Sequence, residues 1–451
     1  MGGFEWEVQF VSGLRFRLPA KEFTAESQAA VPGPTRSGAP IYGLAHPARQ
    51  AVLEADQFRA QQTLEALRVG VVPVQDAETL TIGLEAERVT LDRALDRTRE
   101  RSGDVLAVIG DYGFGKSHYI ELAARRGLRA NFLVMNASLD LVEVPPGKAP
   151  KIYEALVAST RYPDSAGRGL LPLIRRALDH PSAISEFVAA CPREPRTCPL
   201  AAALLTLQEC PSESGFEQIV QWLGGQARVG AEMRACLRRP PPLYITGETA
   251  RQYSYLLTGL STLATGLGYS GLLVLIDESE HYSLLRATQR ERADSFFKAL
   301  IVGALGLHNG RIEARGIPDH TRAEYPISYA SEPHLLFLFA LTESEDRMPV
   351  GSWLAPAQIV RLDDRFIEKD IHQFFATLVR YHALAYSYPP EQARVGEIAP
   401  AAGLLARALT QHRINLRGLI RAAVTVADLL HVYPDYAPEA LLAELKTGLK
   451  V

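Results

Sequence analysis

The stretch VLAVIGDYGFGKSHYIEL, residues 105–122, decides the fold. Its first five residues are apolar and predict a buried strand, and the residues from Lys116 onward predict a helix. Between them, GDYGFGKS matches the pattern G-x-x-x-x-G-K-[ST] of a phosphate-binding loop, or Walker A motif. Because the match follows a strand and opens a helix, we interpret it as a nucleotide site rather than as a structural glycine turn.

The loop residues have separate expected tasks. Gly110 and Gly115 permit backbone conformations that a side chain would block, and Gly113 adds slack. Backbone N–H groups and the start of the following helix then surround the phosphates. We expect Lys116 to reach the β- and γ-phosphates of ATP and the Ser117 hydroxyl to bind Mg²⁺.

Asp111 and Tyr112 place an acid and a bulky ring beside the expected phosphates. Such a loop holds phosphates with backbone N–H groups, so we expect the Asp111 carboxylate to point away from them. His118 has no partner at metal-ligand spacing, and we interpret it as a packing or surface residue next to the site. The segment expected to line the nucleotide comprises Gly110, Asp111, Tyr112, Gly113, Phe114, Gly115, Lys116, Ser117 and His118.

A second apolar run, LLVLIDE at 272–278, predicts a central strand that ends in two acids. Ligands of parallel sheets bind beyond the carboxyl ends of the strands. We expect Asp277 to hold Mg²⁺ and Glu278 to polarise the water that attacks the γ-phosphate. In the alternative interpretation, both acids only cap the next helix.

Two further polar residues are candidates for the site. Thr342 ends the apolar run HLLFLFALT and is expected to contact the γ-phosphate or to orient the water, although it fits an ordinary turn as well. In HRINLRGLIRAA, Asn415 is a candidate helix cap that places Arg417 in the first turn. Arg417 then reaches the nucleotide, or belongs to a solvated basic face with Arg413 and Arg421.

Composition sets the class of protein. The chain has 451 residues, is 47% hydrophobic and carries 48 basic and 51 acidic residues, a net charge of -3. These values fit a globular protein of two or three domains without a global basic field. Its four cysteines form no C-x-x-C pair, so we expect neither zinc nor a disulfide framework. Because there is no apolar run of membrane-spanning length and no signal pattern in MGGFEWEVQF, we expect a cytoplasmic location.

The order of elements predicts an α/β fold with a parallel sheet and a helical end. We assign residues 1–48 to a hairpin and a linker or arm, 49–365 to an ATPase core, and 366–451 to a C-terminal helical lid. Within the core, residues 161–245 form a long helical insert between the glycine-rich motif GDYGFGKS and the acidic motif LLVLIDE.

Together these motifs resemble the AAA+ ATPases, which implies a three-layer core, oligomeric assembly and an arginine that reaches a neighbour's γ-phosphate. Arg347, Arg361 and Arg365 are the candidates for that arginine, with no choice among them. The segment TIGLEAE is similar to the adenine-side segment of the origin-recognition/Cdc6-like branch. This similarity implies that Ile82 and Gly83, with Thr81, line the base pocket.

A closer resemblance is to the ATP-binding proteins of BREX phage-defence loci, the BrxD-like family. It covers roughly residues 60–430 and is carried by TLEALRVGVVPVQDAETLTIGLEAE, VIGDYGFGKSHYIELAARRG and YLLTGLSTLATGLGYSGLLVLIDESEHY. His281 and Tyr282 depart from the usual residues after DESE. The resemblance implies an ATPase that acts on DNA or on a DNA-bound complex with defence-system partner proteins. The alternative is a nucleotide-gated switch that recruits effectors and hydrolyses ATP only to reset.

Overall fold

The computed structural model describes residues 54–449 apart from 211, 227–229, 238, 244–248, 307–310, 320–323, 344–347, 363–367, 390–394, 412, 434 and 436, and four strands before residue 54. Contacts divide the chain into two compact units. One is Leu84–Asp363, here called the sheet unit. The other joins Met1–Gly83 to Asp364–Val451 and is called the helical unit.

The elements of the described residues follow in chain order. The strands are β1 (Glu5–Gln9), β2 (Arg15–Pro19), β3 (Val31–Gly33), β4 (Ile41–Gly43), β5 (Asp104–Gly110), β6 (Phe132–Ser138), β7 (Gly271–Asp277), β8 (Leu335–Leu341) and β9 (Ile359–Leu362). The helices are α1 (Ala55–Val69), α2 (Glu85–Glu100), α3 (Lys116–Arg129), α4 (Ala149–Ala158), α5 (Leu171–Asp179), α6 (Pro181–Ala189), α7 (Pro199–Leu207), α8 (Glu213–Leu223), α9 (Ala231–Cys236), α10 (Ala250–Gly266), α11 (Ala287–Leu305), α12 (Val350–Trp353), α13 (Glu368–Ala385), α14 (Val395–Thr410), α15 (Leu416–Val432) and α16 (Pro438–Leu449).

A five-stranded parallel sheet forms the centre of the sheet unit, in the order β6-β7-β8-β5-β9. Strands β5, β7 and β8 are buried along their whole length, which explains why their sequences are continuous apolar runs rather than alternating ones. Strand β8 is far from β5 and β7 in sequence but lies between them. The ends of these three strands therefore meet at one edge of the sheet.

Helices cover both faces of the sheet. Successive residues of β5 point to opposite faces, so Val105 and Ala107 join one apolar cluster and Leu106 and Val108 join the other. The first cluster includes α4, α10, α11 and the insert helices, and the second includes α2 and α3. The structure thus confirms the predicted mixed α/β fold with a parallel sheet.

The segment predicted as a helical insert contains α5 to α9. Its apolar residues belong to the same cluster as one face of the sheet, so the insert adds to the core of the sheet unit. For example, the ring of Phe187 stacks on that of Tyr329 with centroids 4.4 Å apart, and the Tyr329 hydroxyl donates to the Phe187 carbonyl.

The helical unit is held together by a partly buried polar cluster as well as by apolar packing. Helix α1 packs against α13 and α15. Arg68 of α1 donates to both carboxylate oxygens of Asp428 in α15, at 2.7 and 3.0 Å. Fully buried His382 of α13 contacts Asp428 through Nε2 at 3.1 Å. The sequence predicts that residues 49–83 belong to the core, whereas in the structure α1 packs against the C-terminal helices.

The N-terminal segment contains two ladders. Strands β1 and β2 pair antiparallel, as predicted for a hairpin. Within the stretch predicted as a linker or arm, β3 and β4 also pair antiparallel over three residues each.

Candidate functional site

The glycine-rich loop connects β5 to α3. Gly113 and Gly115 both have φ of +87°, in the left-handed region that glycine adopts without strain. Gly113 therefore does more than add slack. Gly110 has a different requirement, because a Cβ there would lie 2.9 Å from the backbone oxygen of Leu362 in β9. Its lack of a side chain allows the neighbouring strand to approach.

Lys116 is buried at the start of α3, with 7% of its surface exposed. Its ammonium donates to the carbonyl oxygens of Gly110 and Asp111, at 3.1 and 3.3 Å, and to the Thr342 hydroxyl at 2.9 Å. All three acceptors are uncharged. An anionic phosphate oxygen competes well with them, because charge-assisted hydrogen bonds are the stronger ones.

The side chains of Asp111 and Tyr112 are exposed, that of Tyr112 to 64%. Lys116 contacts the backbone carbonyl of Asp111, whereas the carboxylate side chain lies at the surface. Phe114 and His118 are half-buried, and His118 lies in the first turn of α3. These positions agree with an arrangement in which the loop uses its backbone toward a ligand.

Asp277 is the last residue of β7 and is buried. Burial raises the pKa of its carboxyl group, while hydrogen bonds with the Ser117 side chain and the Glu278 backbone, together with the Lys116 charge, act in the opposite direction. Mg²⁺ prefers oxygen ligands such as hydroxyl and carboxylate oxygens, and phosphate and water oxygens complete its coordination. Ser117 and Asp277 therefore fit a magnesium ion.

Glu278 turns the chain sharply after β7, with φ of +58°, a conformation that is uncommon for a residue with a side chain. It precedes the short 3-10 helix Ser279–Leu284 but makes no capping hydrogen bond with its side chain. This geometry disfavours the interpretation of Glu278 as a helix cap. Burial, followed by the neighbouring Glu280 carboxyl group and Asp277, raises the pKa of Glu278 to about 7.

Glu280 is a further acid at the site that the sequence motifs do not identify. It lies beside Glu278, and its Oε2 atom is buried without a hydrogen-bond partner. The only sequence signal is the third acid of DESE, which by itself is typical of a solvated turn.

Thr342 follows β8 directly and is joined to Lys116 by the 2.9 Å hydrogen bond. Since β8 lies between β5 and β7, its end lies between the loop and the acids. The polar end of this strand thus belongs to the same cluster as Lys116, Ser117 and Asp277.

Other predicted residues lie in the helical unit. Asn415 caps α15, as predicted, and accepts from the Gly418 N–H at 2.9 Å. The stem of Arg417 packs over the turn after α1, where a Cβ on Gly70 would come within 2.8 Å of its Cγ. Ile82 is buried and Gly83 has φ of +60°. The roles of Arg417, Ile82 and Gly83 toward a nucleotide stay predictions.

Of the three candidates for an arginine acting on a neighbouring subunit, the structure describes one. Arg361 lies on edge strand β9 and donates to Glu343 at 3.1 Å. Arg347 and Arg365 lie outside the described residues.

The arrangement agrees with what comparison with protein families finds. The family described as "BREX system ATP-binding protein BrxC/D" matches residues 56–176 and 203–302, which include the glycine-rich loop and both acids. The chain belongs to the BrxC/D family of BREX ATP-binding proteins. Its predicted resemblance to this family is confirmed, and membership implies an ATP-binding role in BREX defence.

No curated protein matches the chain. In the part of this BrxC/D-family chain that the structure describes, none of the helices is long and apolar enough to cross a membrane.

Proposed function

We propose that this BrxC/D-family protein is an AAA+ type ATPase that hydrolyses ATP at the carboxyl edge of its sheet. The hydrogen bond between Lys116 and Thr342 carries the proposal, because it joins the phosphate-binding loop to the strand beside the paired acids. The strand order β6-β7-β8-β5-β9 supports it as well, since β8 separates the loop strand from the acid strand. We place the γ-phosphate between Lys116 and Glu278.

Each residue has a role that follows from its position. Lys116 exchanges its carbonyl acceptors for phosphate oxygens, and the backbone N–H groups of the first turn of α3 bind the same charge. Ser117 and Asp277 would hold Mg²⁺, which neutralises charge on the phosphates when bound. Thr342 keeps the Lys116 ammonium in place.

Hydrolysis, rather than transfer of the phosphate to another molecule, is favoured by Glu278. Its carboxylate follows Asp277 directly and is free of capping contacts. A pKa of about 7 is suited to a general base at neutral pH, because the group must both accept and release the proton of the attacking water.

The wider role is part of the same proposal. We infer a cytoplasmic homo-oligomer that acts on DNA or on a DNA-bound complex together with partner proteins of the defence system. Contact with DNA has to come from several subunits, because the net charge is -3. A local basic patch such as Arg125 and Arg126 of α3 contributes less to DNA contact, because both arginines form ion pairs, with Glu121 and Asp92 respectively.

Steady-state ATPase rates with and without double-stranded DNA test the proposal, on the wild type, Lys116→Ala and Glu278→Gln. A DNA-dependent motor predicts turnover that rises with DNA and is lost in both variants. Turnover that ignores DNA, with Glu278→Gln held as an ATP-bound oligomer that still recruits proteins, would instead identify the nucleotide-gated switch. An unaltered rate in Glu278→Gln would contradict both versions.

A further inference from the structure

The four cysteines of the chain form two close pairs, although all four are free thiols. The sulfur atoms of Cys210 and Cys236 lie 2.8 Å apart, and those of Cys191 and Cys198 lie 3.1 Å apart. The members of the first pair are 26 residues apart in sequence and those of the second are 7 apart. Neither spacing is a redox or metal motif, so the pairs cannot be recognised from the sequence.

The first pair faces a cavity. Cys210 follows α7 and Cys236 is the last residue of α9, and both line an open cavity of about 1250 Å³ in the helical insert. Pro240–Pro242 and Tyr325 form other parts of its wall. A small reactant that enters the cavity therefore reaches both sulfurs.

The second pair has a different environment. Cys198 is fully buried, and neither Cys191 nor Cys198 lines the cavity. The Tyr255 hydroxyl covers the pair, at 3.1 Å from the sulfur of Cys198 and 3.5 Å from that of Cys191. The sulfurs of this pair are nearly as close together, and although burial opposes it, the hydrogen bond with Tyr255 lowers the pKa of the Cys191 thiol. Slower oxidation of this pair therefore reports on access, because its acidity acts in the opposite direction.

We propose that Cys210 and Cys236 are an oxidation site, at which a hydroperoxide entering the cavity converts the two thiols into a disulfide. Forming the bond requires the sulfurs to approach by less than about 1 Å, to the S–S distance of roughly 2.05 Å. The reaction goes beyond the ATPase function and does not depend on it. In a reducing cytoplasm such a pair stays reduced until an oxidant arrives.

The chemistry balances in two steps. The Cys210 thiolate attacks the outer peroxide oxygen, an S–O bond forms, the O–O bond breaks, and the alkoxide or hydroxide leaves and takes up the proton that Cys210 released. The sulfur of Cys236 then attacks that of Cys210, the S–S bond forms, and the S–O bond breaks. The departing hydroxide leaves as water with the proton of Cys236. Two thiols and one hydroperoxide thus give one disulfide, one alcohol or water, and one water.

The order of attack follows from the surroundings of the pair. The hydrogen bond with Cys210, and secondarily burial, raise the pKa of the Cys236 thiol to about 11. Cys236 therefore keeps its proton and acts second. Gly215 of α8 leaves the space that Cys236 occupies, since a Cβ there would lie 2.7 Å from the Cys236 sulfur and 3.4 Å from that of Cys210.

The test is titration of the whole chain with hydrogen peroxide. The remaining thiols are then alkylated and identified by peptide mass spectrometry. We expect a Cys210–Cys236 disulfide that dithiothreitol reverses, formed before any loss of the Cys191 and Cys198 thiols. Cys236→Ser should accumulate a Cys210 sulfenic acid that dimedone labels. In Cys210→Ser, Cys236 should stay a reduced thiol after peroxide treatment, so that it is still alkylated.

Gly215→Ala keeps both thiols and changes only the space around the two sulfurs. Because the new methyl group displaces the flexible Cys236 sulfur, we expect the disulfide to form more slowly and the Cys210 sulfenic acid to become detectable. Circular dichroism checks that the variant is folded. Separate alkylation of Cys210 and Cys236 after oxidation of the wild type, or oxidation of the buried pair first, would overturn the proposal.

Discussion

Replacing Thr342 by valine removes one of the three acceptors of the Lys116 ammonium while it preserves the shape of the side chain. The hydrogen bond is 2.9 Å long and involves a charged donor, so its loss is worth about 2 kcal/mol. The ammonium keeps the carbonyl oxygens of Gly110 and Asp111 and moves toward them. If the hydroxyl positions Lys116 for the reaction, this free energy appears in the barrier, and kcat falls roughly 30-fold.

The assay is steady-state ATP turnover over a range of ATP concentrations. Thr342→Ser retains the hydroxyl and is the matched control, and we expect it to restore most of the rate. Because the lost contact positions a group and does not hold the whole nucleotide, KM should change less than kcat. Equal rates for the valine and serine variants would refute the reasoning and leave Thr342 as an ordinary turn residue.

Three further changes test other parts of the structure. Gly110→Ala should destabilise the protein by about 1–3 kcal/mol in urea unfolding, because the methyl group meets the Leu362 backbone at 2.9 Å; an unchanged midpoint would contradict the close approach of β9. Asp111→Ala should leave ATP affinity within roughly twofold in a fluorescent-nucleotide titration, because charge–charge interactions at exposed sites are worth little, and complete loss of binding would show that the carboxylate is misplaced. Hydrogen bonds with His382 and Arg68 hold the pKa of Asp428 below its usual value although burial opposes them. The ionised carboxylate therefore stabilises the fold above about pH 4, and this stabilisation is lost as the pH falls further. Between pH 5 and pH 3, the melting temperature of the wild type should fall by more than that of Asp428→Asn. An equal fall in both proteins would argue against this linkage.

The parts of the fold that depend on local sequence could be predicted. The apolar runs of β5, β7 and β8 are buried on both faces. Each of these strands begins and ends within two residues of the apolar run that predicts it. The packing of α1 could not be predicted, because its sequence shows an apolar face but not which helices cover that face. Long-range contacts, such as that of Arg68 with Asp428 360 residues away, reveal the partner helices.

The site shows the same limit. The spacing of GDYGFGKS and the DE pair mark Lys116, Ser117, Asp277 and Glu278 from sequence alone. From the sequence, Thr342 fits a site residue and an ordinary turn equally, because its role depends on β8 lying next to β5, which is a property of strand order. The pairing of the cysteines depends likewise on how the insert helices pack.

Equilibrium ATP affinity of the wild type and of Lys116→Ala tests the central claim most directly, with Lys116→Arg as the variant that keeps the charge. Removal of the ammonium should abolish measurable binding or weaken it at least tenfold, since Lys116 exchanges its carbonyl acceptors for phosphate oxygens. Arginine should retain part of the affinity. An affinity of Lys116→Ala equal to that of the wild type would contradict the assignment of this loop as the ATP site.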